Sequence, residues 1–180
     1  AAGSLKLDGF STDSSTILKI NADTTITRNS PFKVGSVLLA GNTLTLGSAT
    51  TDLTIENSAP AEGESAGTFN TQEADLSWTG PVKFSTAKVS STGGTLSLVG
   101  GSLLTSSGSM ELSNGSKLDL KGEFTQSGGE LSAVNTNIQV AGDFSKTGGD
   151  LTSSNASLEL TENLTFSSNT ALTFKELTLN

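Results

Sequence analysis

A chain of 180 residues with 33% hydrophobic residues and no cysteine is long enough for one domain with a buried core, but it has no disulfide framework. Its 18 acidic and 10 basic residues give a formal net charge of -8, and the basic residues are scattered along the chain. Nucleic-acid binding needs clustered lysine and arginine side chains, so this charge pattern argues against a DNA or RNA partner. No apolar run approaches the roughly 18 residues of a membrane span.

Residues 5–56 contain short segments that alternate apolar and polar residues, as in ILKINADTTIT and SVLLAGNTLTLG. This period-two pattern predicts strands with one side inward and the other side in solvent. Ile17 to Val37 and Ile26 to Leu46 are each steps of 20 residues. We therefore predict loosely repeating coils in this part of the chain.

The segment ENSAPAEGESAGTFNTQEADLSWTG interrupts this period with five acids, a proline and several small residues. We predict a lateral loop or insertion over residues 57–74. Loops held by a rigid scaffold often carry binding, so Phe69 and the single tryptophan, Trp78, are candidate contact residues. The alternation in ADLSW favours another interpretation, because it places Leu76 and Trp78 on the same side of a strand, where Trp78 would be core.

Two apolar columns and one glycine column recur in steps of 20 residues through the C-terminal part of the chain. Agreement between three independent sets of positions indicates a repeat architecture. The columns are Phe84, Leu104, Phe124, Phe144 and Leu164; Leu98, Leu118, Ile138 and Leu158; and Gly108, Gly128 and Gly148.

A unit of about 20 residues with three short strands cannot bury its apolar side alone, whereas stacked units close a core and pair their backbones. We therefore predict an all-β parallel β-helix over residues 1–180, as a single domain with about eight or nine coils. An antiparallel β-sandwich is the alternative, but it gives no reason for a constant repeat. In one unit we place Phe124 on the first face, Leu131 on the second, and Ile138 with Val140 on the third.

Histidine and cysteine are both absent, which removes the commonest general base and the commonest zinc ligands. We expect no enzymatic activity, no catalytic residue, no cofactor and no metal site. Stacked coils would place Glu123 beside Asp143 and Glu130 beside Asp150, roughly 5 Å apart. Such pairs could hold Ca²⁺, although a solvated ladder of acids at the edge of the solenoid is the simpler explanation.

Three segments resemble coils of bacterial secreted β-helical passengers, in the style of autotransporter, haemagglutinin and surface-adhesin rods: GGTLSLVGGS, SGGELSAVNTNIQVAGDFSKTGGDLTSSNASLEL and NLTFSSNTALTF. The resemblance covers residues 81–180 well, and it transfers no residue role. It implies a single-stranded right-handed parallel β-helix at the bacterial cell surface, acting as a structural or adhesive segment.

Several kinds of partner fit a segment of this style. They are surface glycans, host or neighbouring-cell proteins, and adjacent coils of the same longer chain. The sequence ends on FKELTLN, a strand pattern without a polar capping segment. Because the ends of solenoids need caps for solubility, we expect this chain to be a fragment of a longer rod.

Two alternative functions stay open. Outward threonines in TTIT, NTLTLG and ELTL could form an ice-binding face, although the residue within the apolar pair changes from Asp119 to Gln139 to Glu159. The second alternative is a polysaccharide-binding or depolymerising β-helix, because many pectin-cleaving enzymes are right-handed β-helices that use acidic Ca²⁺ ligands and an arginine or lysine as the base. The one arginine, Arg28, has no acid cluster around it in the sequence.

Overall fold

The computed structural model describes residues 3–8, 12–47, 51–56, 67–105, 107–161 and 165–180. In these residues every regular element is a β-strand, and the strands pair in parallel. The strands are β1 (Gly3–Lys6), β2 (Ile17–Lys19), β3 (Thr24–Thr27), β4 (Phe32–Val34), β5 (Ser36–Leu38), β6 (Thr43–Leu46), β7 (Leu53–Ile55), β8 (Gly67–Gln72), β9 (Leu76–Trp78), β10 (Val82–Phe84), β11 (Ala87–Ser91), β12 (Thr95–Leu98), β13 (Ser102–Leu104), β14 (Ser109–Leu112), β15 (Lys117–Leu120), β16 (Phe124–Val134), β17 (Asn137–Val140), β18 (Phe144–Ser154), β19 (Ser157–Leu160), β20 (Phe166–Ser168) and β21 (Glu176–Leu179).

The strands stack coil on coil into a β-solenoid with three faces. The third face is an eight-stranded sheet in the order β21-β19-β17-β15-β12-β9-β7-β4, with one strand from each coil. The second face holds β1, β3, β6, β8, β11 and β14, and the first face holds β10, β13 and β20. The long strands β16 and β18 bend from the first face to the second and join them into one sheet. The predicted parallel β-helix with coils of about 20 residues is confirmed.

Two buried columns on the third face form much of the core. Alternation puts every second residue inward, and parallel pairing in register then places apolar residues of successive coils against each other. The columns are Phe32, Leu53, Leu76, Leu96, Leu118, Ile138 and Leu158, and Val34, Ile55, Trp78, Leu98, Leu120, Val140 and the partly buried Leu160. They end at Leu177 and Leu179, which are exposed.

The predicted constant step of 20 residues is wrong in more than one coil. Leu118 pairs with Leu96 rather than Leu98, and Phe124 pairs with Ser102 rather than Leu104. One extra residue lies in each of two corners, between β13 and β14 and between β14 and β15. Corner residues take no part in the strand ladders, so the corners accept extra residues without breaking the pairing.

Other parts of the predicted columns shift as well. Ser109 pairs with Glu130, so the corner glycine after Gly108 is Gly129 rather than Gly128. Gly129 adopts a φ of 68°, and a Cβ there would overlap the carbonyl oxygen of Gly108. Leu164 lies outside the described residues, and Phe166 takes the place beside Phe144.

In the N-terminal coils, Ile26 pairs with Leu46 as predicted. The predicted match of Ile17 with Val37 is wrong by one residue, because Ile17 pairs with Ser36. The C-terminal part of the predicted loop at 57–74 is wrong, because residues 67–72 form β8, which pairs with β6 and β11. Residues 57–66 lie outside the described residues.

Aspartates beside strand starts tie neighbouring coils together. The Oδ1 atom of Asp23 accepts a hydrogen bond from the backbone N–H of Thr43 at 2.8 Å, about one coil further on. The same contact recurs in other coils, so part of the acidity of the chain serves to join coils. The further pairs are Asp52 with Asp75 N–H, Asp75 with Thr95 N–H, Asp143 with Thr165 N–H, and Asp8 with Asn29 N–H, which lowers the pKa of Asp8.

Three phenylalanines stack along the first face. The Phe124 and Phe144 rings lie 5.3 Å apart at 17°, and the Phe144 and Phe166 rings lie 4.5 Å apart at 10°. Phe124 is fully buried. Each ring therefore contributes both burial and contact with the ring of the next coil.

We expect Phe124→Ala to destabilise the fold by about 3–5 kcal/mol, because it leaves a cavity beneath the stacked Phe144 ring. Urea unfolding followed by far-ultraviolet circular dichroism measures this loss. Ser127→Ala is the control, since Ser127 is exposed in the same strand and its substitution should change the free energy of unfolding by less than about 0.5 kcal/mol. Equal midpoints for Phe124→Ala and the wild type would contradict the stacked core.

Candidate functional site

The two aromatic residues proposed from sequence as contacts, Phe69 and Trp78, are packed inside the solenoid. Each is only 3% exposed. The Trp78 ring makes edge-to-face contacts with Phe69 at 5.0 Å and with Phe84 at 5.5 Å. The core interpretation of Trp78 therefore fits the structure, and neither ring can face a partner while the coils stay packed.

The outward residues of the second and third faces form long polar columns. Pairing in register places side chains of successive coils about 4.8 Å apart, so each column is a regular surface. Hydroxyl groups dominate towards the N-terminus, and most of the charged residues in these columns lie towards the C-terminus. The columns are Ser4, Thr25, Thr45, Asn70, Ser90, Glu111, Ser132 and Thr152 on the second face, and Lys33, Thr54, Ser77, Ser97, Asp119, Gln139, Glu159 and Thr178 on the third.

The two predicted acid pairs behave differently. Glu130 and Asp150 pair in register and are both exposed. In the other pair, Asp143 accepts the Thr165 backbone N–H at 2.7 Å, so its carboxylate serves the coil stack. Within the described ranges, no group of three or more acidic side chains is placed to hold a metal ion.

A groove of about 380 Å³ lies at the corner between the first and second faces; we call it the corner groove. Its central column is Lys88, Ser109, Glu130 and Asp150, which pair in register over four coils. Glu111 flanks this column one coil before Glu130. The complete lining is Lys88, Ser107, Gly108, Ser109, Glu111, Gly129, Glu130, Gly149 and Asp150.

Two polar side chains hold the backbone of the corner groove from inside the solenoid. Gln126 is fully buried, and its Nε2 donates to the Asp150 carbonyl oxygen at 2.8 Å. Lys146 is 3% exposed, and its Nζ donates to the Gly149 carbonyl oxygen at 2.8 Å. Both bonds end in the groove lining, so the groove wall is fixed by core contacts as well as by strand pairing.

Sequence analysis found Glu130 and Asp150 but missed Lys88, Ser109 and Glu111 as their neighbours. A constant step of 20 residues aligns the wrong residues in the longer coil. The signal that could have found them is the match of GSMEL with GELSA, which places Ser109 beside Glu130 in a step of 21 residues.

Comparison with known proteins finds no matching family model, no matching curated protein and no matching solved structure. Across the part of the chain that the structure describes, no helix has the length and apolar character needed to cross a membrane.

The burial of Trp78 predicts a fluorescence signature. Its indole Nε1 is buried and has no hydrogen-bond partner among the described residues. We therefore expect emission at short wavelength and acrylamide quenching several-fold weaker than for free N-acetyltryptophanamide, because the ring is shielded from water. Unfolding in urea should shift the emission to a water-like wavelength. Water-like emission from the folded protein would contradict the packing of Trp78 between Phe69 and Phe84.

Proposed function

We propose that this chain is a non-catalytic structural or adhesive segment of a bacterial surface or secreted protein. The observation that carries the proposal is the in-register stack of eight coils, which forms a rod of roughly 38 Å at about 4.8 Å per coil. Every coil is supported by backbone pairing to its neighbours. Such a rod holds its sides at fixed spacing, as a stalk or contact surface requires.

The side surfaces of the solenoid support an adhesive role. Their outward columns carry hydroxyl, amide and charged groups at a regular spacing, and the large aromatic side chains Trp78 and Phe69 are buried. Polar columns of this kind suit many weak hydrogen bonds spread over several coils. A partner with repeated polar groups, such as a surface glycan, fits this arrangement.

Display on a non-adherent bacterium tests the adhesive role. We expect cells that display the chain to attach several-fold more to glycan-coated plates than cells that display Phe124→Asp at the same level. That variant buries an unpaired carboxylate and should not form the stack. The medium should contain no newly released reducing ends, because a non-catalytic contact leaves the polysaccharide intact. Equal attachment, or reducing ends that depend on an acidic residue, would refute the proposal.

Ice binding is a second candidate, favoured by one specific observation. In the N-terminal coils of the second face, Thr25 pairs with Thr45 and Thr43 pairs with Thr68, which gives short rows of outward threonines. Further along these columns Lys88 and Glu111 introduce charges. The uncharged array therefore covers only part of the face.

We expect no thermal hysteresis in freezing-point measurements, because the charged residues interrupt the threonine rows. If hysteresis appears, the second candidate replaces the first. In that case Thr45→Lys should abolish it, whereas Ser97→Lys, an equivalent change on the third face, should leave it unchanged.

A further inference from the structure

We infer that the corner groove binds a hydroxylated organic amine of the amino-sugar class. The inference deepens the proposed adhesive function, on which its biological meaning rests, by naming a ligand class and a site.

The charged side chains of the corner groove are uncommitted. Glu111, Glu130 and Asp150 share the groove lining with one ammonium group, that of Lys88, so the lining carries three negative charges and one positive charge. In the described part of the chain, none of these four side chains makes an ion pair or hydrogen bond. An excess of free carboxylates in a concave site favours a cationic ligand.

Elsewhere on the surface of the same molecule, lysine and carboxylate side chains do form ion pairs. Lys33 pairs with Glu56 at 3.2 Å, and Lys121 pairs with Asp119 at 3.4 Å. In the corner groove, acids and lysine share one lining without making such contacts. The groove carboxylates are therefore free to receive a ligand.

Ser109 gives an observation independent of charge. It lies in the central column of the groove and is 6% exposed. Its Oγ is buried and has no hydrogen-bond partner within the described residues. A buried hydroxyl without a partner is costly in a folded protein. Lys88 and Glu130 flank Ser109 in the column, and a shift of these exposed side chains on binding would let a ligand hydroxyl supply the missing partner.

The geometry favours an organic ammonium over a metal ion. No three acids within the described ranges converge on a metal position, and a groove of about 380 Å³ is the size of a small-molecule site. Glu130 and Asp150 lie on adjacent coils, about 4.8 Å apart, so one ammonium group can donate to both carboxylates. Hydroxyl groups of the same ligand can then reach Ser109 and Lys88.

The groove wall is fixed before any ligand arrives. Gln126 and Lys146 hold the carbonyl oxygens of Asp150 and Gly149 from inside the core. A ligand therefore meets a backbone that needs no ordering, which reduces the entropic cost of binding.

A pair of disaccharides that differ in charge tests the inference. The probes are diglucosamine, with free amino groups, and diacetylchitobiose, in which the amino groups are acetylated and neutral. In a slightly acidic buffer, we expect diglucosamine to shift the amide resonances of Gly108, Gly129 and Gly149 in a saturable way. Diacetylchitobiose should produce no saturable shift, because it lacks the ammonium groups that the groove carboxylates would bind.

Variants locate the site. Glu130→Gln combined with Asp150→Asn should weaken diglucosamine binding at least about tenfold, and Ser109→Ala should weaken it by a smaller factor. The control combines Glu73→Gln with Glu176→Gln, which removes two exposed acids outside the groove and should leave the affinity unchanged. Thermal unfolding of each variant checks that the solenoid remains folded.

Several results would overturn the inference. These are equal binding of both disaccharides, equal binding by the groove variant and its control, or the same saturable shifts on addition of Ca²⁺ alone. If diglucosamine does not bind, but the thermal transition is intact and displaying cells attach as before, the ligand inference fails and the proposed function stands. Loss of attachment with diglucosamine binding intact would refute the proposed function instead.

Discussion

Backbone pairing between neighbouring coils is the constraint on which the rest of this structure depends. A strand here finds its hydrogen-bond partners about 20 residues away, in the coils before and after it. Once the pairing register is set, side chains of successive coils lie in columns, and these columns point alternately inward and outward along each strand. The core, the polar outer faces and the corner groove all follow from that register, and the aspartate carboxylates at the strand starts reinforce it.

The sequence was sufficient to predict the architecture because the apolar columns repeat where strands must pair. Phe124, Leu131, Ile138 and Val140 occupy the predicted faces and are buried. The predicted columns failed between Leu104 and Phe124, where corners carry extra residues that no hydrophobic pattern marks. The boundary at residue 74 failed because small polar residues of β8 alternate with Phe69 and Thr71, which point inward. Asp143, which suggested a solvated ladder, accepts a backbone hydrogen bond, a role that depends on register and cannot be found by counting charges.

The corner groove coincides with a departure from the apolar core. On the first face, the inward column runs from Phe84 and Leu104 to Gln126 and Lys146. Burying an amide and an ammonium there forgoes apolar contact and requires compensating hydrogen bonds. Those bonds go to the carbonyl groups of the groove wall, so the polar core and the surface feature are parts of one arrangement. The sequence offered no clue to it, since a lysine in a strand normally points to solvent.

The extra corner residues in one coil bear on how such a chain can change over evolutionary time. One residue inserted within a strand would exchange inward and outward side chains along the remainder of that strand. One residue inserted at a corner leaves every ladder intact, as the coil between Leu96 and Leu118 demonstrates. Corners are therefore the positions where length can drift at little structural cost, and the corner groove is built at such a position. Its shape can diversify between related chains while the columns beneath it stay the same.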